Sequence, residues 1–107
     1  MKTNKEREKL FYLGFAGKKI VVENYEICTS FFSKLRGLMF RPRNFKTPLF
    51  FVFKKPVRYP IHSFFCKRFL AIWFLNKETV EKRIIKPWES NIYPSKEFDS
   101  LLEIPLN

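Results

Sequence analysis

One histidine and two cysteines are the side chains of this sequence with the chemistry to act as base, nucleophile or soft metal ligand: His62, Cys28 and Cys66. A thiol beside an imidazole is the pairing of a cysteine nucleophile and its base. The spacing of His62 and Cys66 speaks against it. The block around them reads as a strand, and four residues along a strand span about 13 Å, beyond hydrogen-bond reach. His62 then keeps two readings, an acid–base or ligand-contacting donor, or a packed imidazole with one structural hydrogen bond. Cys66, set among aromatics, is expected to be a buried and inert thiol. A metal would need Cys28, Cys66, His62 and a fourth group, and no C-x-x-C or H-x-x-x-H spacing is present, so no metal is expected. Paired-carboxylate hydrolysis has little to work with: Asp99 is the single aspartate, and Glu78 and Glu81 sit by a charged turn where solvated side chains are the simpler reading. Without a glycine-rich phosphate loop, no cofactor is expected either.

Charge is the stronger signal. The net charge of +11 lies entirely between Ile27 and Lys77, a stretch with no Asp or Glu. It holds Lys34, Arg36, Arg41, Arg43, Lys46, Lys54, Lys55, Arg58, Lys67, Arg68 and Lys77. Aromatic residues interleave with them, from Phe31 to Phe74. Such a stretch either meets the flanking acids in the fold or presents a positive field outward. Cations between rings are what single-stranded nucleic-acid surfaces use, charge following phosphates and rings stacking on bases. The competing reading is a solvated lysine-rich face over a phenylalanine core, and no R-G-F-type RNA-recognition signature occurs. Arg41, Arg43, Lys46, Lys54, Lys55 and Arg58 fall on one strand and its loops. They are expected to share an acid-free face.

The elements that would position these groups are short. A chain of 107 residues, 19% aromatic and 46% hydrophobic, is enough for one folded domain. Residues 1–9 read as a flexible polar lead-in, which excludes a signal peptide, and residues 10–107 as a single β-rich domain. The longest apolar runs, Leu49–Phe53 and Phe69–Leu75, are far short of the roughly 20 residues that cross a bilayer. A cytoplasmic location and reduced thiols are expected. Leu10–Phe15 and Lys19–Tyr25 read as a hairpin around Gly14 and Gly17. Thr29–Arg36 reads as a short helix stopped by Gly37 in a left-handed conformation. Pro48–Phe53, Ile61–Lys67, Phe69–Leu75, Thr79–Ile85 and Leu101–Ile104 read as strands, with a turn at Asn76-Lys77-Glu78. The fold class expected is mainly β: a barrel or sandwich of short antiparallel strands with one short helix.

Three segments carry a resemblance. Arg36-Gly37-Leu38-Met39-Phe40 is similar to an R-G-L-M-F signature. Ile61-His62-Ser63-Phe64-Phe65-Cys66, continuing through Leu70 to Asn76, is similar to an I-H-T-F-F-M-x-F-P-I-D-V-x-F-L-D block. Lys86-Pro87-Trp88 with Leu101-Leu102-Glu103-Ile104-Pro105 resembles a proline–tryptophan loop and a terminal L-E-L-P strand. In this order they resemble domain-of-unknown-function family 192, across about residues 20 to 106. The resemblance implies a small β-rich domain and no particular reaction. The chain departs from the pattern at four places: Ala71 and Asn76 stand for aspartates, Phe69 for the proline and Cys66 for the methionine.

Together these readings describe a non-enzymatic binding or interaction module for an unidentified ligand or protein partner. The candidate site is Arg36, His62, Phe64 and Trp88, and the six cations named above form an anion-attracting rim. The alternatives are a weak single-stranded nucleic-acid binder through the basic patch, and a degenerate enzyme whose acid became Ala71.

Overall fold

Phe69–Leu75 alternates Phe, Ala and Trp on one side with Leu, Ile and Phe on the other, so both faces are apolar. A strand of that kind must be covered on both faces. The computed structural model, which describes residues 10–13, 19–22, 24–28, 38–39, 41 and 44–106, places it inside a sheet. The described strands are β1 (Leu10–Leu13), β2 (Lys19–Val22), β3 (Glu26–Cys28), β4 (Leu49–Val57), β5 (Phe69–Leu75), β6 (Glu78–Ile85) and β7 (Phe98–Pro105). β1 and β2 form an antiparallel hairpin of their own, and the other five make one sheet in the order β3-β4-β7-β5-β6.

The last strand in sequence is therefore the central one, hydrogen-bonded to β4 on one side and β5 on the other. One face carries Leu49, Phe51, Phe69, Ala71, Trp73, Phe98 and Leu101, packed against Ile61, Cys66 and Ile92 from the long connections. The opposite face carries Leu70, Ile72, Phe74 and Leu102, with Val22 of the hairpin and Phe50 against them. The β5–β6 turn has Asn76 and Lys77 both at positive φ (51° and 69°), the backbone of a two-residue hairpin turn whose twist matches the strands.

Mainly β is the observed class. The expected barrel or sandwich of antiparallel strands becomes one open mixed sheet. β3 pairs with β4 in parallel, Glu26 opposite Leu49 and Cys28 opposite Phe51, and among the described residues β3 and β6 are the two edges and do not pair with each other. Among the described residues there is no helix. The helix expected over Thr29–Arg36, its Gly37 cap and the polar lead-in over residues 1–9 lie outside the described residues. No helix of the described residues is long and apolar enough to cross a membrane.

The strand expected over Ile61–Lys67 is corrected. Only Ile61 makes a bridge, to Ile92, and the chain then turns at Phe64 and Phe65. β4 runs four residues further than expected, through Pro56. The register slips between Val52 and Val57, leaving Lys54 and Lys55 on a bulge. β3 lies opposite only Leu49 to Phe51, so Pro56 leaves no ladder donor missing on that side.

Candidate functional site: an aromatic knuckle on two crossed loops

Two connections cross one face of the sheet. Residues 58–68 lead from β4 to β5, and residues 86–97 return from β6 to β7. They run antiparallel and are joined where Ile61 and Ile92 exchange backbone hydrogen bonds at 2.9 and 3.1 Å. Beyond this bridge both chains turn sharply, and the turns are held by one side chain.

Ser63 is fully buried, at 0% exposure. Its N–H donates to the Glu89 carbonyl at 2.9 Å, and its own carbonyl accepts from Trp88 N–H and Cys66 N–H, both at 3.1 Å. Its hydroxyl donates to the Lys86 carbonyl and accepts from Glu89 N–H at 2.8 Å. Glu89 closes the second loop by accepting Lys86 N–H at 2.8 Å on its carboxylate. A small residue with a hydroxyl is what this position needs: a larger side chain would not fit, and an apolar one would orphan two backbone groups.

Around this hub the loops present rings to solvent. His62 and Phe64 stack with centroids 5.1 Å apart. Phe64 lies 6.0 Å from Trp88, and Phe65 meets Trp88 edge-on at 4.8 Å. Trp88 is 61% exposed, Phe65 50% and Phe64 37%. The backbone at Phe65 (φ 59°) and Trp88 (φ 63°) is left-handed, a conformation that bulky residues avoid. Each such residue carries of order 1–3 kcal/mol of strain, sustained only where surrounding structure over-determines it. Here that structure is the Ser63 hub.

The same turn decides the fate of the possible nucleophile and base. His62 Nδ1 accepts Phe64 N–H at 3.1 Å, which places the ring proton of the neutral imidazole on Nε2. The Cys66 thiol donates to the Phe64 carbonyl at 3.4 Å. Each group is thus engaged with the backbone of Phe64. Cys66 is half-buried rather than buried, and its thiol is pushed up to about 12, by burial first and by the Glu103 carboxylate second. Glu103 lies on β7 directly opposite Ala71 of β5. It is buried, and desolvation raises its carboxyl to about 8. The position where the resembled family carries an aspartate therefore faces a buried carboxyl across the sheet.

Of the candidate site residues, His62, Phe64 and Trp88 come together, and Arg36 lies outside the described residues. The rim is spread along β4. Arg41 and Lys46 precede its start, Lys54 and Lys55 sit on its bulge and Arg58 follows its end. Arg43 lies outside the described residues. Arg41 meets a flanking acid, its Nη2 lying 3.2 Å from Glu26 Oε2. Arg58 Nε donates to the Pro94 carbonyl at 3.0 Å while its guanidinium lies 5.1 Å from the Tyr93 ring. Among the described residues no three His, Cys, Asp or Glu side chains cluster to hold a metal ion.

Two partners in this arrangement escape sequence reasoning. Phe65 looks like one more apolar strand residue until the turn exposes it. Ser63 carries no signal beyond being a polar residue between an imidazole and two phenylalanines. A second acid network joins β6 to the return loop, centred on the partly exposed Glu81. Burial alone would raise the Glu81 carboxyl, but the Ser95 N–H at 2.8 Å and the Arg83 guanidinium outweigh it and hold it below its ordinary range. Arg83 also donates to the Tyr93 carbonyl at 3.1 Å, tying the return loop to β6.

Solved structures share this architecture. A protein of unknown function from Novosphingobium aromaticivorans DSM 12444 superposes with a TM-score of 0.74 at 16% identity, over 91% of this chain and 71% of that one. A Sinorhizobium meliloti 1021 protein described as a putative transcription regulator gives 0.73 at 12% identity, over 91% of this chain and 78% of that one. At these identities the likeness shows the fold alone. No family model matches the chain, and no curated protein matches it.

Proposed function

We propose that this chain is a non-enzymatic interaction module of the kind grouped as domain-of-unknown-function family 192, and that its contact surface is the knuckle of His62, Phe64, Phe65 and Trp88. One observation carries the reading. Two bulky aromatics are kept exposed on left-handed backbone, clamped from beneath by a buried serine that spends every polar atom on the task. Strain maintained at an exposed position is a reason to look for function there. The rings pack on one another as a mound, a shape that enters a partner's pocket, and tryptophan is among the residues that most often dominate such contacts. The test is site-specific photo-crosslinking in cells, with a photoreactive phenylalanine analogue at Phe65 and, as comparison, at exposed Lys96 near the other end of the return loop. A discrete adduct from position 65 alone supports the module. Equal adduct patterns from both positions overturn it.

Single-stranded nucleic acid is the second reading. Lys67 and Arg68 follow the knuckle directly and Lys86 precedes Trp88, so phosphates and bases could be met together. A fold neighbour described as a putative transcription regulator is compatible with it. The chain has two tryptophans, and Trp73 is fully buried. A Trp73→Phe variant therefore makes Trp88 the sole reporter. Quenching of Trp88 by an oligothymidylate at low salt, falling steeply as salt rises, is the expected signature. Unchanged emission at low salt with chain and oligothymidylate raised to roughly hundreds of micromolar, above the weak end of typical non-specific affinity at about 10⁻⁴ M, removes this reading and leaves the first intact.

A further inference from the structure

We propose that His62 is a proton-sensitive latch on the knuckle: neutral, it caps the turn that presents Phe64 and Phe65; protonated, it cannot, and the ring stack opens. As regulation of the same contact surface, the latch rests on the knuckle reading for its use and not for its operation.

The turn is Ser63 to Cys66, closed where Cys66 N–H donates to the Ser63 carbonyl at 3.1 Å. Phe65, its third residue, has φ 59°, the sign that favours glycine at that position. Phe64, its second, is engaged on three sides. Its N–H donates to His62 Nδ1 at 3.1 Å, its carbonyl accepts from the Cys66 thiol at 3.4 Å, and its ring stacks on the imidazole at 5.1 Å with 28° between the planes. The bond from the backbone of residue 64 to the side chain of residue 62 is the one an Asn or Asp makes in an Asx-turn. Here an imidazole makes it, and an imidazole changes charge between about pH 5 and 8.

An imidazolium donates from both ring nitrogens and accepts at neither. Whichever way the ring is turned, it offers Phe64 N–H no lone pair. With a proton on Nδ1 two hydrogens point at each other, so the ring must leave the position from which it now stacks. The attraction of an imidazolium for the face of Phe64 opposes that movement but supplies no acceptor. The lost cap falls on a turn already held at a costly backbone angle, next to Phe65 and its edge-on contact with Trp88 at 4.8 Å.

The charged groups on the same loop are the cations Arg58, Lys67 and Arg68. The facing loop brings Lys86 and Glu89 beside the turn, the Glu89 carboxylate accepting Lys86 N–H at 2.8 Å, and Lys96 and Glu97 stand at its far end. From β6, Arg83 and Glu81 meet that loop further on, at Tyr93 and Ser95. Beneath lie the Cys66 thiol, at about 12, and the buried Glu103 carboxyl, at about 8. Glu89 is thus the acid beside the turn whose titration would imitate the response, and it supplies a control.

The test is a titration of the isotope-labelled full chain from about pH 8 to about pH 5, the range of imidazole charge change, followed by NMR of the His62 ring, the Phe64 amide and the contacts between aromatic side chains. The expected result is one midpoint for three changes: the His62 ring shift, an upfield shift of the Phe64 amide proton, and loss of the cross-peaks between the His62 and Phe64 rings. His62→Asn keeps an oxygen that can accept Phe64 N–H and has no proton to take up, so its Phe64 amide should hold still throughout. His62→Phe keeps a ring and removes the acceptor, so its Phe64 amide should lie upfield at every pH. Glu89→Gln, which keeps an oxygen for Lys86 N–H, should leave the coupled changes in place. A His62 ring that titrates while the Phe64 amide and the ring contacts stay fixed, or one that takes up no proton in this range, would overturn the latch. So would an undiminished response in His62→Asn, a Phe64 amide in His62→Phe that matches the neutral wild type, or loss of the response in Glu89→Gln. The titration reads the free chain, so its failure leaves the crosslinking test of the knuckle untouched, and an absent adduct leaves the latch untouched.

Discussion

Replacing Ser63 with alanine tests the hub directly. The substitution keeps the backbone bonds of residue 63 and deletes the hydroxyl alone. Two hydrogen bonds are lost, one donated to the Lys86 carbonyl and one accepted from Glu89 N–H. Each is worth about 1 kcal/mol net, and a partner left dry costs about 1–3 kcal/mol instead. Lys86 and Glu89 are themselves exposed residues, so water can reach part of the damage. The balance is a loss of about 2 kcal/mol. For a domain of this size that is roughly 10 °C in Tm. Urea unfolding followed by far-UV circular dichroism measures it. Two comparisons sharpen the result. Ser100→Ala removes a hydroxyl whose bond to Asp99 is long, 3.4 Å, and should cost under about 1 kcal/mol. Ser63→Thr keeps the hydroxyl and adds a methyl at a fully buried site, so its cost of about 1–3 kcal/mol comes from crowding. The loosened loop should also change the emission of Trp88 in Ser63→Ala before unfolding begins. A loss below about 0.5 kcal/mol, within the range of an ordinary surface change, with unaltered Trp88 emission, would refute the hub and the argument that strain at Phe65 and Trp88 is held by it.

Glu103 has a folded pKa near 8 against an ordinary 4.5, so its share of stability is complete below the unfolded value and is lost as pH rises toward 8. Wild-type stability should decline across that window, and Glu103→Gln should flatten the decline in urea titrations at several pH values. Glu81 works in the opposite sense: its lowered pKa stabilises above the unfolded value, and Glu81→Gln should remove stability at neutral pH while narrowing the loss in acid. Cys66, with its thiol at about 12, should label slowly with a thiol reagent at neutral pH in the folded chain and rapidly once unfolded; fast labelling of the native protein contradicts the geometry at Phe64. Trp73 buries its indole N–H without a hydrogen-bond partner, so Trp73→Phe should cost less, by thermal unfolding, than the volume it removes implies, because it deletes an unsatisfied donor together with the lost packing.

Local pattern made the long strands legible. Phe69–Leu75 is bounded as its apolar run is bounded, and β6 and β7 differ from the reading only at their ends. β3 was not legible, because three residues with one buried side chain carry no periodicity and its parallel partner lies more than twenty positions away. Mixed order in the sheet escaped for the same reason: pairing between distant segments is decided by tertiary packing, which local propensity does not record. At the site, the rings of His62, Phe64 and Trp88 were visible as candidates, but the backbone beneath them was read with the wrong period. Ile61–Lys67 has the composition of a strand. Its hydrogen bonds go instead to the facing loop through Ser63.

That mismatch between composition and conformation is itself informative. Five residues other than glycine have positive φ among those described, and three of them, Asn76, Lys77 and Asn91, include the asparagines that tolerate it. Lys77 sits in the two-residue β5–β6 turn, whereas Phe65 and Trp88 are bulky aromatics outside any hairpin turn, and they touch each other at the solvent-facing tip. A chain selected only for stability would place Gly or Asn at such turns, relieving about 1 kcal/mol or more at each. Here the ring is kept and the turn is kept, and a buried hydroxyl supplies the bonds that make both possible. Among the described residues, Phe65 and Trp88 are the aromatics at positive φ, and both are turned outward. Sequences agree across levels except where something other than folding is being served. The knuckle is therefore where the first substitutions belong: Trp88→Gly and Phe65→Gly, judged by unfolding, should stabilise the chain or leave its stability unchanged, and on the proposed reading they should remove the photo-crosslinked adduct; a large loss of stability in both would refute the argument from strain.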